Sequence, residues 1–298
     1  MKSTTVTEAV KTLAPDEAKK VQRLLEKGIK IPPQPRVLEE LRKYLLRQEF
    51  DIRKLAKVIS QDPSLVAMLF KVTGSLAYRA HQPFTSLEQI LHSLGIQETF
   101  NLVLAISVAG ANKKAKNRAA MEAYWARSQA IAQIAMLVAQ DRVTVCNIFP
   151  DLAYLAGVFH DCGVPVLMDR FQTYCEVMHL GDPNTWIDLA EEDARFNADH
   201  SVVGYLVARH WSLPDFICEA IRYHHEYDPD IPFTTKSMVA IIQLATEIYY
   251  RDRHIRNPEW VAAEKEVLQE LGISPEGLPE YVDIILEQYH AQTDEHSS

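Results

Sequence analysis

Apolar residues recur at intervals of three and four along most of the chain, which is the spacing that places them on one face of an α-helix. The first such series runs from Val37 to Leu46 and the second from Ile52 to Ile59. The same spacing predicts further helices over residues 62 to 72, 86 to 94, 100 to 108, 121 to 140, 152 to 160, 191 to 209, 215 to 225 and 235 to 251. No sustained strand alternation interrupts them, so the pattern predicts an all-α protein.

Prolines and charged stretches divide the helical series. The segment Ile31-Pro32-Pro33-Gln34-Pro35 cannot be helical, because its prolines lack backbone donors and push their neighbours towards extended geometry. Residues 111 to 118 are charged and poor in apolar anchors, which indicates a connection between two lobes. We therefore predict an N-terminal helical extension (1–30), a first helical lobe (31–112), a second lobe (113–250) and an acidic helical C-terminal tail (251–298).

Composition narrows the classes of partner. Of the 298 residues, 47% are hydrophobic, and the formal net charge is −9. Because nonspecific nucleic-acid binding depends on clustered Lys and Arg, this charge argues against a nucleic-acid partner. No run reaches the roughly 20 apolar residues of a membrane helix, and the polar start lacks the apolar segment of a signal peptide. We expect a cytoplasmic protein without membrane contact.

The cysteines indicate no covalent framework. The chain has 4 cysteines at wide spacing and no C-x-x-C pair, so neither a disulfide network nor a zinc knuckle is predicted. We expect buried thiols at these positions, which are Cys146, Cys162, Cys175 and Cys218.

Histidines and one aspartate form the strongest candidate site. His160 and Asp161 follow the small and apolar residues of the helix predicted over 152 to 160, and His200 and the tandem His224-His225 lie downstream. Imidazoles and carboxylates are metal ligands. Neighbouring residues on a helix diverge by about 100°, so the first two could reach one cation only from a helix end. We expect Gly163 to stop the helix there.

In this order, with helices between them, these residues resemble the HD-domain phosphohydrolase superfamily, and most closely its HDOD branch. The resemblance covers roughly residues 30 to 250. It also rests on residues 31 to 35, 59 to 63, 85 to 95 and 211 to 214. It implies a two-lobed helical HDOD fold over residues 31 to 250, with an HD-domain-like helical bundle as the second lobe.

The resemblance also implies a metal site, and this chain departs from it at two positions. Enzymes of the superfamily hold a divalent cation with a His, the HD pair and a distal Asp. Arg127 stands where the first His is expected, and Thr246 stands where the Asp is expected. An arginine stays protonated and only donates hydrogen bonds, so we expect it to pair with Asp161 instead of holding a metal. Glu247 is a possible substitute ligand, about 100° of helix rotation from the expected position.

Two interpretations of the histidine cluster stay open. In the first, one divalent metal (Fe, Mn, Zn or Ni) is held by His160, Asp161, His200, His224 and His225. In the second, His160 and Asp161 are a hydrogen-bonded structural pair, and the downstream histidines are satisfied within the core or by a helix dipole. We favour the second interpretation and expect no cofactor.

The resemblance to the HDOD branch favours a signalling role. We predict a noncatalytic bacterial signal-transduction module that binds a signalling protein partner or a nucleotide messenger, with no catalytic residue. The alternative is a metal-dependent phosphohydrolase or phosphodiesterase that acts on a nucleotide or cyclic dinucleotide, with Asp161 as a catalytic residue. Nothing in the pattern predicts the oligomeric state.

Overall fold

The computed structural model describes residues 26, 28–32, 36–47, 51–73, 84–110, 118–180, 182, 185, 187–226 and 232–294. The predicted N-terminal helical extension (1–30) and the predicted connection at 111 to 118 fall almost entirely outside these residues. Nearly the whole of the second predicted lobe and the C-terminal tail lies within them.

Every regular element in the described residues is a helix, which confirms the all-α prediction. In chain order the helices are α1 (Arg36–Arg47), α2 (Ile52–Ile59), α3 (Pro63–Thr73), α4 (Leu87–Gly110), α5 (Arg118–Cys146), α6 (Pro150–Phe159), α7 (Gly163–Arg170), α8 (Tyr174–Val177), α9 (Leu189–Phe196), α10 (His200–His210), α11 (Asp215–Tyr223), α12 (Phe233–Asp252), α13 (Trp260–Leu271) and α14 (Leu278–Asp294), with a 3-10 turn at Pro275–Gly277 between the last two. Among these helices, none combines the length and apolar character needed to cross a membrane.

Local sequence signals set several helix ends. The Asp51 side chain accepts hydrogen bonds from the backbone N–H groups of Arg53 and Lys54 at 3.1 and 3.2 Å and so caps α2. Asp62 caps α3 in the same way, through the N–H of Leu65 at 3.2 Å. Within α4, Gly95 has φ 76° and ψ 176°, so the helix kinks where the sequence predicts an end.

The helix predicted over residues 191 to 209 is in fact two helices, α9 and α10. Asn197 adopts a left-handed conformation with φ 49° and closes α9. Two residues later, the Asp199 side chain accepts the N–H of Val202 at 2.7 Å and starts α10. His200 is therefore the first residue of a helix and not a mid-helix residue.

The helices share a continuous apolar core. The long helix α5 packs against α6 and α12, and a Cβ on Gly157 of α6 would lie 2.6 Å from the Ala132 Cα, so only glycine permits this approach. The first helices are tied to the same body at Trp211. The Nε1 of Trp211 donates to the Pro32 carbonyl at 2.9 Å, and the guanidinium of Arg42 donates to the Trp211 carbonyl at 2.8 Å.

Candidate functional site

The turn between α6 and α7 places the HD pair, His160 and Asp161, in the protein interior. The helix α6 ends at Phe159, and His160 and Asp161 follow at 3% and 7% exposure. The expectation that Gly163 stops this helix is wrong, because Gly163 is the first residue of α7. A Cβ at Gly163 would lie 2.0 Å from the His200 carbonyl oxygen, so glycine is needed for α7 and α10 to touch. This contact brings the start of α10 beside Asp161.

Asp161 is the centre of the cluster. Its Oδ1 lies 3.2 Å from the Nε2 of His200 and 3.2 Å from the Nε2 of His224. Its Oδ2 lies 3.4 Å from the Nε2 of His160 and 3.4 Å from the Nη2 of Arg127. One buried carboxylate is therefore shared by three imidazoles and one guanidinium.

A second buried carboxylate, that of Glu192, contacts the Nδ1 side of the His200 ring, whereas Asp161 contacts the Nε2 side. Glu192 has no exposed surface, and its Oε2 accepts from the Nδ1 of His200 at 2.8 Å and from the His200 backbone N–H at 2.9 Å. Its Oε1 accepts a hydrogen bond from the Tyr174 hydroxyl. Because an ionised carboxylate only accepts, the Nδ1 of His200 carries a hydrogen.

The tandem histidines follow α11 and point to the same place. The Nδ1 of His224 lies 2.8 Å from the Ile221 carbonyl oxygen, and its Nε2 lies 3.2 Å from the Oδ1 of Asp161. The Nδ1 of His225 lies 2.9 and 2.8 Å from the two carboxylate oxygens of Glu259. The Nε2 of His225 then lies 2.9 Å from the Nε2 of His200.

Four of the five predicted ligand residues come together. Their ligand atoms all lie within 4.8 Å of one another, and the residues are Asp161, His200, His224 and His225. His160 stands apart, on the other oxygen of the aspartate. Glu247 is not among them and pairs with Arg251 of its own helix at 2.6 Å. Thr246 is one of the residues that line the cavity, and its hydroxyl donates to the Ile242 carbonyl at 2.9 Å.

Electrostatics favour a charged pair of Asp161 and Arg127. Burial disfavours the charge on Asp161, but its electrostatic interaction and hydrogen bond with His160 and the hydrogen bonds with His200 and His224 outweigh burial and hold the pKa of Asp161 well below its ordinary value. Burial alone would lower the pKa of Arg127, but nearby Tyr250 and Asp161 raise it. The guanidinium, with only 12% of its side chain exposed, is therefore a permanent cation in the cluster.

The pKa values of three histidines are shifted, one upward and two downward. Burial disfavours a charge on His200, yet the carboxylates of Glu192 and Asp161 raise its pKa well above the ordinary value. Burial lowers the pKa of His224. Burial, with the neighbouring His224 and His200, holds the pKa of His225 well below its ordinary value. Without a metal, a proton on His200 therefore lies among Asp161, Glu192 and His225.

The cluster forms one wall of a cavity of about 550 Å³, which includes space open to solvent. Apolar side chains also line this cavity, and they belong to Ile131, Ile187, Trp260 and Ala263. Among the described residues, two buried polar atoms of the lining side chains have no hydrogen-bond partner, the Nε1 of Trp260 and the Oε1 of Gln243. Arg127 also lines the cavity, and its contacts with Asp161 and the Thr185 carbonyl are long, at 3.4 and 3.5 Å.

Sequence reasoning missed the two carboxylates that hold the histidine rings. Glu192 lies eight residues before His200, and a short loop separates them, so no helical spacing relates them. Glu259 follows a proline at the start of α13, where an acidic residue is common and usually solvated. The only available signal for Glu259 was that position, which did not distinguish it from Glu276 or Glu280.

The pattern of the HDOD domain family matches residues 31–227, about two thirds of the chain. The chain therefore belongs to the HDOD domain family, and the predicted family and fold are confirmed. The matched region contains the histidine cluster and ends two residues after His225. Glu259 and Trp260 lie beyond it.

Similar proteins give the same picture of the fold. An uncharacterized protein of Treponema pallidum (strain Nichols) is 22% identical over 234 residues, and the match covers 72% of this chain but only 41% of that protein. A solved HDOD domain protein of unknown function from Geobacter sulfurreducens has a TM-score of 0.64 at 23% identity, covering 92% of this chain and 96% of its own.

Two further solved structures carry functional names. A candidate metal-dependent phosphohydrolase from Shewanella amazonensis SB2B has a TM-score of 0.69 at 18% identity, covering 94% of this chain and 98% of its own. A candidate signal transduction protein from Marinobacter aquaeolei VT8 has a TM-score of 0.65 at 20% identity, covering 94% of this chain and 65% of its own. At these identities the likeness establishes the fold.

Proposed function

We propose that this protein is a regulatory HDOD module that acts by binding a small ligand or a signalling partner and does not turn over a substrate. One observation carries the proposal. The guanidinium of Arg127 lies 3.4 Å from Asp161, at the position where the resemblance places a metal-ligating histidine. A fixed cation thus neutralises the carboxylate that a metal ion would need.

The size of the electrostatic effect supports a metal-free site. A divalent ion about 5 Å from the guanidinium would be repelled by roughly 7 kcal/mol at an effective dielectric constant of about 20. A metal would also have to displace the proton of His200. Burial lowers the pKa of this residue, but Glu192 and Asp161 outweigh burial and raise it. Two cations of the protein therefore occupy the electrostatic role of one metal.

The cavity supports a small polar ligand. Part of its space is open to solvent, and its lining combines apolar surface with a few polar groups. The indole of Trp260 and the amide of Gln243 are among the polar groups of the lining residues. Arg127 adds a group for an anionic substituent. A nucleotide messenger has this chemistry.

The second candidate is a metal-dependent phosphohydrolase, and a different observation favours it. Three imidazole nitrogens and one carboxylate oxygen within 4.8 Å of one another form a donor set that suits Zn, Fe, Mn or Ni. The ion would be held by Asp161, His200, His224 and His225, and when bound it would supply an activated water for attack on phosphorus. The Shewanella relative carries the name of such an enzyme.

Elemental analysis of untagged protein purified without chelator separates the two candidates. We expect near-zero metal in the natural protein and metal uptake by the Arg127→His/Thr246→Asp double variant. We also expect no hydrolysis of bis(p-nitrophenyl) phosphate in Mn²⁺ or Fe²⁺ above that of a folded Asp161→Ala variant. About one metal per natural chain, with hydrolysis that requires Asp161, would overturn the regulatory proposal.

A further inference from the structure

We propose that Glu259 is a positioning residue of the histidine cluster. It holds His225 so that the Nε2 of this ring faces the Nε2 of His200 inside the cavity. The residue lies outside the family-matched region of residues 31–227, so a C-terminal segment of this chain completes the site. The inference takes the cavity as the functional site but does not depend on whether a ligand or a metal binds there.

The contact geometry assigns the hydrogen on the His225 ring. Both carboxylate oxygens of Glu259 lie within hydrogen-bond distance of Nδ1, at 2.9 and 2.8 Å. Since a carboxylate only accepts, Nδ1 donates, and the neutral ring presents an unprotonated Nε2 to the cavity. A free imidazole in water is not fixed in this form.

The opposite side of the cluster repeats the arrangement. Glu192 accepts the Nδ1 hydrogen of His200 at 2.8 Å, and the two Nε2 atoms of His200 and His225 then lie 2.9 Å apart. Two lone pairs at this distance repel each other unless a proton or a metal ion lies between them. The two carboxylates, one on each flank, hold both rings in the orientation that shares one cation. Carboxylates behind histidines serve this orienting purpose at metal sites in general.

The chain holds Glu259 in place by local contacts. Its backbone N–H donates to the Asn257 side chain at 3.1 Å at the start of α13. The next residue, Trp260, is 6% exposed and lines the cavity, and α13 packs against α12. The Glu259 side chain makes no cap hydrogen bond to α13, so its removal leaves the helix start intact.

Histidine ¹⁵N NMR at neutral pH tests the proposal on the full-length chain, with the His225 ring assigned by its loss in a His225→Asn variant. We expect the Nδ1–H tautomer of His225 in the natural protein and a large population of the Nε2–H tautomer in Glu259→Ala. Glu259→Gln retains an acceptor oxygen and should keep most of the Nδ1–H form. The matched control is Glu280→Gln, which removes an exposed carboxylate at the start of α14 and should change nothing.

An unchanged His225 tautomer in folded Glu259→Ala would overturn the proposal, and so would an equal change in the Glu280→Gln control. This readout requires neither metal nor turnover. A failure of the positioning role is therefore separate from a failure of the regulatory function, which metal content and hydrolysis report.

Discussion

Replacing Glu192 with alanine should destabilise the folded protein strongly. The side chain is fully buried and accepts three hydrogen bonds, from the Tyr174 hydroxyl, the His200 backbone N–H and the His200 ring. Without Glu192, the buried imidazolium of His200 keeps Asp161 as its one counter-charge within the described part of the chain, and Asp161 is shared with Arg127. The buried tyrosine hydroxyl also loses its acceptor.

Removing one partner of a buried ion pair costs about 3 to 5 kcal/mol, because the other charge stays buried without compensation. Part of this cost is avoided if His200 becomes neutral in the variant. With an m-value of about 3 kcal/mol per molar urea, the loss corresponds to a decrease of roughly 1 to 1.7 M in the unfolding midpoint.

Urea unfolding followed by far-UV circular dichroism measures this shift. The adjacent Glu191 provides a matched control, since its side chain is 48% exposed and lies 3.7 Å from Arg195 in a surface ion pair. Glu191→Ala should change the free energy of unfolding by no more than about 0.5 kcal/mol. A Glu192→Ala variant that unfolds within about 1 kcal/mol of the Glu191→Ala variant would refute the assignment of Glu192 as the counter-charge of His200.

Three further predictions concern the packing and burial of particular residues. Gly163→Ala should destabilise the protein by about 1 to 3 kcal/mol or prevent folding, because its Cβ would lie 2.0 Å from the backbone of α10. In Gly204→Ala the nearest contact of the new Cβ is a side-chain carbon at 3.1 Å, so thermal melts should show a smaller loss of stability. Trp211→Phe should lower stability by about 1 kcal/mol in urea, as it loses the bond to the Pro32 carbonyl, and an unchanged midpoint would contradict this role. When native protein is treated with iodoacetamide at pH 8, mass spectrometry should find the fastest alkylation at half-buried Cys175. Burial raises the thiol pKa to about 11 at Cys146, to about 12 at Cys218 and well above the ordinary value at Cys162. Those three buried thiols should therefore react more slowly.

Much of the fold could be predicted because its signals are local. Apolar spacing places a helix without reference to the rest of the chain, and Asp51 and Asp62 cap their helices through backbone groups two or three residues away. The helix prediction failed at Asn197, where a left-handed residue divides α9 from α10. Apolar residues continue across this break, so their pattern did not reveal it.

The candidate site could be predicted only as a set of residue types. The order of the histidines and the substitutions at Arg127 and Thr246 are properties of the sequence alone. The tertiary structure decides that His224 lies 3.2 Å from Asp161, which is 63 residues away, and that His225 meets Glu259 across 34 residues. Such contacts depend on how the helices pack. A buried charge pairs with whichever group lies close to it in space, so the residues next to Glu192 and Glu259 in the sequence do not reveal the roles of these two carboxylates.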